Sequence, residues 1–252
     1  MKKILLYFLL VLSIESIAQS DSTRRKYPAP FEHDLFLGFN VGATTPLSLP
    51  ATIRKIDSWS PAFNPSLGYE FLLHIRRGWR LGIGAKIDYK GMTVKDQVMY
   101  MHTKITVENG SSTGVFEGDF SGRNKTVIRN AYMTFPLYVA YNFNYKWRVK
   151  LGGYAAYLFR PSFKGKVYDG YMRNGSSLGE KIIVTEASFD LSAEQKKWDS
   201  GIMMAGERLI GKHLGIMGNF TWGLQPLFPK NNSSMDFKMY NFYLTLGLSY
   251  RL

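Results

Sequence analysis

The chain of 252 residues carries 32 Lys and Arg against 19 Asp and Glu, a formal net charge of +13 at pH 7. It contains no cysteine, which excludes disulfides, thiolate metal sites and a cysteine nucleophile. The basic residues are scattered rather than clustered on one helix or stripe, which argues against nucleic acid as a partner. Attraction to anionic lipid head groups, such as lipopolysaccharide phosphates, is one use of this charge, and a merely solvated basic surface is the alternative.

The first residues of the chain predict export. Residues 1–18 combine Lys2 and Lys3 with an apolar core and small residues before a cleavage site, as signal peptides do. The alternative is a membrane anchor, but the apolar core is too short to span a bilayer. Residues 19–33 are predicted to be a polar, proline-containing lead-in, and residues 34–252 to be one β-rich domain.

Strict alternation of apolar and polar residues predicts β-strands throughout this domain. The clearest strand starts at Trp79, and its apolar face begins and ends with an aromatic residue. Its length suits a tilted strand that crosses the hydrocarbon of a bilayer. Its apolar set is Trp79, Leu81, Ile83, Ala85, Ile87 and Tyr89, and its polar set is Arg80, Gly82, Gly84, Lys86, Asp88 and Lys90. The predicted strands cover residues 34–43, 66–75, 79–91, 130–143, 147–159, 201–209, 214–224 and 240–252.

The connections between these strands alternate between long and short. Within the long ones, residues 104–108, 115–120 and 181–189 look strand-like, so ten strands remain an alternative to eight. Pro136 lies inside a predicted strand, where proline is unusual, and we interpret it as a bulge. The long connections are residues 44–64, 92–129, 161–198 and 225–236, and the short ones are residues 76–78, 144–146 and 210–213.

The even strand number and the alternating connections are typical of bacterial outer-membrane barrels, which keep short turns and both termini on the periplasmic side. The predicted fold class is therefore all-β, a closed antiparallel up-and-down transmembrane β-barrel with long external loops. A soluble sandwich or lipocalin-like barrel also alternates and is the competing interpretation. Aromatic residues at strand ends favour the membrane, where they form interfacial girdles. The predicted girdle is Trp79, Tyr89, Trp147, Phe159, Tyr240 and Tyr250.

One hairpin and the last strand resemble a known family. The run AYMTFPLYVAYNF followed by WRVKLGGYAAYLF is similar to the central hairpin of PorT-like outer-membrane β-barrel proteins, at Tyr132, Pro136, Leu137, Gly152 and Gly153. The final FYLTLGLSYRL resembles the terminal strand that the barrel-assembly machinery recognises, with Leu252 where many barrels end in Phe. The resemblance implies an eight-stranded, porin-like barrel in the outer membrane of a Gram-negative bacterium. Some family members are linked to protein secretion.

Eight strands enclose a space that side chains fill, so a diffusion pore is not expected. Charged residues on the inner face need partners, because an unpaired buried charge is very costly. We predict a salt-bridge network that links Glu70, Asp88 and Glu207 to several bases and acts as a structural plug; a ligand or ion site is the alternative. The predicted interior residues are Glu70, Arg80, Lys86, Asp88, Lys90, Arg148, Lys150 and Glu207.

The sequence predicts no enzyme and no cofactor. The four histidines are far apart in the chain, and neither GxSxG nor HExxH occurs. A lipid-modifying activity is the weakest of the alternatives. The expected role is structural, accessory or binding, through external loops or the periplasmic face, with a protein partner in secretion or adhesion. Aromatic residues in the connections either contact such a partner or pack the loops on each other: Trp59, Phe63, Tyr100, Tyr168, Tyr171 and Trp198.

Overall fold

The structure is a computed structural model that describes residues 30–109, 112–174, 178–229 and 237–252. The predicted signal peptide and most of the predicted lead-in lie outside the described residues. Phe31–Leu252 form one unit. Within the described ranges the helical content is a single 3₁₀ turn, Ser192–Glu194, and no helix there is long and apolar enough to cross a membrane.

Every other regular element in the described chain is a β-strand, and the paired strands are all antiparallel. The strands are β1 (Phe31–Thr45), β2 (Ile53–Pro61), β3 (Pro65–Arg76), β4 (Trp79–Asn109), β5 (Ser112–Asn142), β6 (Trp147–Arg160), β7 (Phe163–Asn174), β8 (Lys181–Asp190), β9 (Trp198–Leu209), β10 (Leu214–Gly223) and β11 (Tyr240–Arg251). Strand β1 begins at Phe31, so the last residues of the predicted lead-in belong to it.

Eight strands pair in a ring, in the order β4–β3–β1–β11–β10–β9–β6–β5 and back to β4. The first and last strands are neighbours, with Leu37 opposite Leu248. The β4–β5 pairing completes the ring, from Trp79 opposite Tyr141 to Lys90 opposite Asn130. These eight strands are the ones that the alternation predicts. We call the end of the ring with the three short connections the turn end.

Beyond the other end of the ring, β4 and β5 continue as one long hairpin. Each is 31 residues long, and β2, β7 and β8 pair alongside their outer halves. We call residues 91–109 and 112–129 together with β2, β7 and β8 the extension. The predicted irregular connections over 92–129 and 161–198 are therefore mostly strand, as the strand-like runs within them suggested.

The prediction of an irregular loop over 44–64 was wrong for β2. This strand pairs with β4, but its register slips between Ile53 and Lys55 and again between Ile56 and Ser58. Each slip breaks the period of two, because an extra residue moves the following side chains to the other face. The strand therefore carries no alternation that sequence analysis detects.

The interpretation of Pro136 as a bulge was also wrong. The β4–β5 register is the same on both sides of it, with Ile83 opposite Leu137 and Lys86 opposite Thr134, so no residue is inserted there. The pairing is interrupted because proline has no N–H to donate to a neighbouring strand. The irregularity in the β5–β6 pairing lies between Ala131 and Tyr132 instead.

The chemistry of the two faces reverses where the ring meets the extension. Within the ring, the exposed outward residues are mostly apolar, and the buried inward residues include all the buried bases of the described chain together with tyrosines and some apolar side chains. In the extension the core is mostly apolar, and bases point outward. On β5 the outward residues change from Leu137, Phe135 and Met133 to Arg129, Lys125 and Arg123, and on β4 the inward residues change from Lys86, Asp88 and Lys90 to Met92, Val94 and Val98. The ring thus presents an oily wall, whereas the extension is built like a water-soluble sheet.

Candidate functional site

All eight predicted interior residues are buried inside the ring, from Asp88 and Arg148 at 1% exposure to Arg80 at 8%. They point inward because alternate residues of a strand face opposite sides of the sheet, and these residues occupy the alternate positions that face the interior, while their apolar neighbours point outward. The structure does not join them into one network. Inside the ring, the ion pairs of the described residues fall into two clusters, one near the turn end and one near the extension.

The turn-end cluster is organised around Arg148 on β6. Its guanidinium forms ion pairs with Glu32 and Asp34, both on β1, and lies 3.6 Å from the Glu207 carboxylate. Arg80 pairs with Glu32 at 2.6 Å. Because β1 is not adjacent to β6 in the ring, these bonds cross the interior and tie distant strands together.

Lys150 lies next to Arg148 on the same inner face. Its ammonium pairs with Glu70 and lies 3.5 Å from Glu207. Arg251 completes the cluster, at 3.5 Å from Glu207. The members are the carboxylates of Glu32, Asp34, Glu70 and Glu207 and the bases Arg80, Arg148, Lys150 and Arg251, so opposite charges are equal in number. Such pairing offsets the large cost of burying each charge alone.

Tyr138 closes this cluster on the side of the extension. Its hydroxyl donates to Glu70 at 2.8 Å, and Lys150 Nζ lies 5.3 Å from the centre of its ring. The ring fits because Gly82 lies beside it: a Cβ atom there would lie 2.3 Å from ring carbons of Tyr138. The inner-face glycines thus make room for large interior side chains.

The second cluster lies nearer the extension and contains Lys86, Asp88, Lys90 and Asp199. Lys86 Nζ lies 2.9 Å from Asp88, which also accepts a hydrogen bond from Ser66 at 2.6 Å. Lys90 Nζ lies 3.8 Å from Asp199. Here too the numbers of opposite charges are equal.

Aromatic rings surround the Lys90 ammonium. It lies 5.1 Å from the ring centre of Tyr132, 5.0 Å from that of Tyr154 and 5.8 Å from that of Tyr243. Tyrosine faces attract a cation within about 6 Å. Tyr154 also donates to Asp199 at 3.1 Å. The interior is therefore occupied by large side chains at this level as well.

Sequence reasoning missed four members of these clusters: Glu32, Asp34, Asp199 and Arg251. The available signal was the alternation of inward and outward positions along each strand. Glu32 and Asp34 share the parity of Phe36, which faces inward, and Asp199 lies eight residues before Glu207 on β9. Glu32 and Asp199 were missed because strands β1 and β9 begin earlier than the alternation of apolar residues indicates. Asp34 and Arg251 lie at the ends of predicted strands and were not included in the predicted interior set.

The predicted girdle residues lie on the outward face of the ring. Trp79, Trp147 and Tyr250 lie at the turn end, and Tyr89, Phe159 and Tyr240 at the end next to the extension. Further aromatic pairs share these levels: Trp79 packs on Tyr141 with ring centres 4.9 Å apart, and Tyr157 packs on Trp198 at 5.2 Å.

The histidines do not converge on one site. His33 contacts the Tyr69 hydroxyl near the turn end, where His213 Nδ1 also lies 2.8 Å from the Arg251 carbonyl. His102 belongs to the extension and lies 3.0 Å from Asp119. In the described ranges, no group of three or more His, Asp or Glu side chains is arranged to hold a metal ion.

An oily outer wall around a charged interior is the arrangement of a membrane barrel. The family model of the outer membrane protein beta-barrel domain matches residues 17–229. This chain belongs to that family. It is an outer-membrane β-barrel protein.

Two solved structures of bacterial proteins are similar to this chain at low identity. The barrel protein is similar to Ail, the attachment invasion locus protein of Yersinia pestis, with 9% identity and a TM-score of 0.35 over 88% of this chain and 97% of that chain. It is similar to OprG from Pseudomonas aeruginosa, with 9% identity and a TM-score of 0.35 over 88% of this chain and 95% of that one. No curated protein sequence matches it.

Proposed function

We propose that this protein crosses the outer membrane as a closed, eight-stranded up-and-down barrel, with the extension outside the cell and both termini in the periplasm. The observation that carries the proposal is the reversal of the two faces between the ring and the extension. Outward Leu137 suits hydrocarbon, whereas outward Arg129 suits water or head groups. Short turns on the periplasmic side are the rule for such barrels.

The interior of the barrel is a structural plug rather than a pore or a catalytic site. Both charge clusters are balanced, and tyrosines fill the space between them. We propose that the protein conducts no ions and catalyses no reaction, and that its role is structural, accessory or binding. The barrel-assembly machinery and outer-membrane lipids, including lipopolysaccharide, are its expected partners during and after insertion.

Binding to another protein is assigned to the extension or to the periplasmic face. The extension and the segment after β2 carry exposed aromatic side chains: Trp59 is 45% exposed and Phe63 is 83% exposed. Large aromatic side chains in water are typical anchors of protein interfaces. An accessory role in protein secretion is the second candidate, and it is favoured by the PorT-like hairpin around Pro136 and Gly152.

Orientation is tested by cysteine labelling, because the chain contains no native cysteine. Ser58→Cys places one thiol on exposed β2, and Lys212→Cys places one in the exposed turn between β9 and β10. In whole cells a membrane-impermeant maleimide should label Ser58→Cys and leave Lys212→Cys unlabelled until the cells are lysed. The opposite pattern would place the extension in the periplasm.

Co-purification from mildly solubilised membranes tests the accessory role. A stoichiometric protein partner that is lost on Trp59→Ala and Phe63→Ala supports binding through the extension. A partner retained by that double variant points to the periplasmic face, and repeated isolation of the lone barrel supports a structural role.

Planar-bilayer recordings of the refolded protein test the proposal that the interior is filled. They should show no conductance steps, and stable steps would contradict a plugged interior.

A further inference from the structure

A cleft opens on the outer wall of the barrel where the ring meets the extension. Its volume is about 650 Å³, and its floor is the surface of β4, β5 and β6. One side is the segment 61–64, which leads from the end of β2 to β3 alongside β4, where the Ala62 N–H donates to the Gly91 carbonyl at 3.2 Å. Asn64 holds this segment in place by donating to the Gly91 carbonyl at 2.8 Å and to the Asn40 carbonyl at 3.1 Å. The cleft therefore has a fixed wall rather than a mobile one.

Two exposed arginines line this cleft, Arg129 on β5 and Arg160 on β6. The strands are neighbours, and Arg160 lies opposite Ala131, two residues along β5 from Arg129. The lining residues in the described ranges include no carboxylate, and no described acidic side chain forms an ion pair with either guanidinium. Both charges are thus available to an anion.

The positive charge continues outward from the cleft along the extension. Exposed Lys95 on β4 lies directly opposite exposed Lys125 on β5. Like charges directly opposite each other destabilise a sheet. Lys164 and Lys166 on β7 are compensated by Asp190 and Glu186, but no described carboxylate pairs with Lys95 or Lys125. An anion bound from outside the protein would offset the repulsion between Lys95 and Lys125.

The wall on the other side of the cleft is oily. Tyr89 lines the cleft itself, and Phe159 precedes Arg160 on the outward face of β6. From there the outward residues of the ring are apolar. A ligand that fills the cleft and uses all of its lining is anionic at one end and carries hydrocarbon at the other, because the two arginines lie next to the hydrophobic outer face of the ring. Free phosphate or a soluble polyanion would contact the arginines but not the hydrophobic outer face.

We propose that this cleft binds a phosphate group of an outer-leaflet glycolipid, with Arg129 and Arg160 on the phosphate and the acyl chains along the oily wall. Guanidinium groups suit the task because they bind phosphate oxygens in bidentate fashion. This inference rests on the proposed membrane span and orientation. It assigns to a specific site part of the basic excess that is otherwise scattered over the chain.

The test measures lipid retention by native mass spectrometry of refolded protein in detergent. The probes are bis-phosphorylated lipid A, the same lipid A with its phosphates removed, and inorganic phosphate. The double variant Arg129→Gln/Arg160→Gln should retain phosphorylated lipid A at least about tenfold less than the unmodified protein, with unchanged retention of the dephosphorylated form. The matched control is Arg54→Gln, an exposed arginine on β2 that does not line the cleft, and it should stay within about twofold.

Three results would overturn the inference: equal retention by the double variant, equal retention of both lipid forms by the unmodified protein, or displacement of the lipid by inorganic phosphate at matched concentration. If the glutamine variants do not refold, Arg129→Lys/Arg160→Lys keeps both charges and should still weaken retention, since lysine cannot bind in bidentate fashion. A barrel that inserts with its extension outside but selects no lipid refutes the site alone. A chain that does not insert, or that inserts with its extension in the periplasm, refutes the proposed function as well.

Discussion

Lys150 shows what it takes to keep a charge inside this barrel. The side chain is 2% exposed, and its ammonium contacts the carboxylates of Glu70 and Glu207 and the ring of Tyr138. Removing one partner of a buried pair leaves the other charge uncompensated, whereas replacing both is often close to neutral. The value of the interaction therefore depends on the pair and not on the lysine alone.

Lys150→Met should accordingly destabilise the refolded barrel by about 3–5 kcal/mol, because Glu70 loses its ion-pair partner. The double variant Lys150→Met/Glu70→Gln should recover a large part of that loss. Chemical unfolding in lipid vesicles measures both free energies. If the double variant were as unstable as the single one, the unpaired charge would not be the cause.

Asp96 is a carboxylate that the extension buries rather than the barrel. It is 7% exposed on the inner side of β4, and burial raises the pKa of its carboxyl to about 6, against which a hydrogen bond with Asn124 acts. Between the ordinary value of 3.8 and about 6, the folded state binds more protons than the unfolded state. This contribution to stability is therefore full below about pH 4 and is lost as the pH rises through 6.

Asp96→Asn should thus stabilise the protein at pH 8, by up to about 3 kcal/mol, and should change little at pH 4. Unfolding midpoints of the variant and the unmodified protein at the two pH values test this. Asp190→Asn on β8 is the control: burial acts to raise the pKa of Asp190, but hydrogen bonds from Ser192 and Lys164 outweigh it and lower this pKa, so the variant should give no gain at pH 8. An equal gain at both pH values would rule out the titration of Asp96.

Strands β4 and β5 serve two environments with one long hairpin. Parity is kept across the boundary, so the inward side of β4 carries Lys90 and then Met92. Inside the ring of strands, large aromatic side chains and charged side chains share a narrow space, so some positions of the hairpin must be small. Gly82 on β4 and Tyr138 on β5 lie directly opposite each other and form one such fit.

Gly82→Ala should destabilise the barrel by about 1–3 kcal/mol, because the new Cβ would displace the Tyr138 ring and disturb its hydrogen bond to Glu70. Gly206→Ala on β9 is the matched control, since a Cβ there meets nothing within 4 Å. Measuring the unfolding free energies of the two variants in lipid vesicles shows whether the contact with Tyr138 causes the loss. Equal effects would mean that the loss arises from the glycine backbone and not from the contact with Tyr138.

Elements with clean alternation could be predicted from the sequence, and the others could not. Trp79–Lys90 shows its strand and both faces directly, because one side meets apolar surroundings and the other a polar interior. Strand β2 shows neither, because it carries two register slips and all but its first residue are exposed. The effect of Pro136 depends on the strand that it faces, which the sequence of its own strand does not contain.

At the scale of the whole molecule, ring closure decides which interior charges meet. Parity identified Arg148 and Glu207 as inward residues. The Arg148 pair with Asp34 is 114 residues apart in the chain and crosses the interior between strands that are not neighbours. No local pattern encodes such a contact. The sequence therefore predicted the members of the interior better than their pairing, and it did not show that they divide into two balanced clusters.

We propose that hydrocarbon covers the outer face of the ring and that water surrounds the extension. The most direct test compares two substitutions of exposed apolar residues, Leu137→Arg in the middle of the ring portion of β5 and Ile183→Arg on β8 of the extension. In lipid vesicles, Leu137→Arg should cost about 2–4 kcal/mol of unfolding free energy and Ile183→Arg about 0–1 kcal/mol. Equal costs at the two positions would contradict the account.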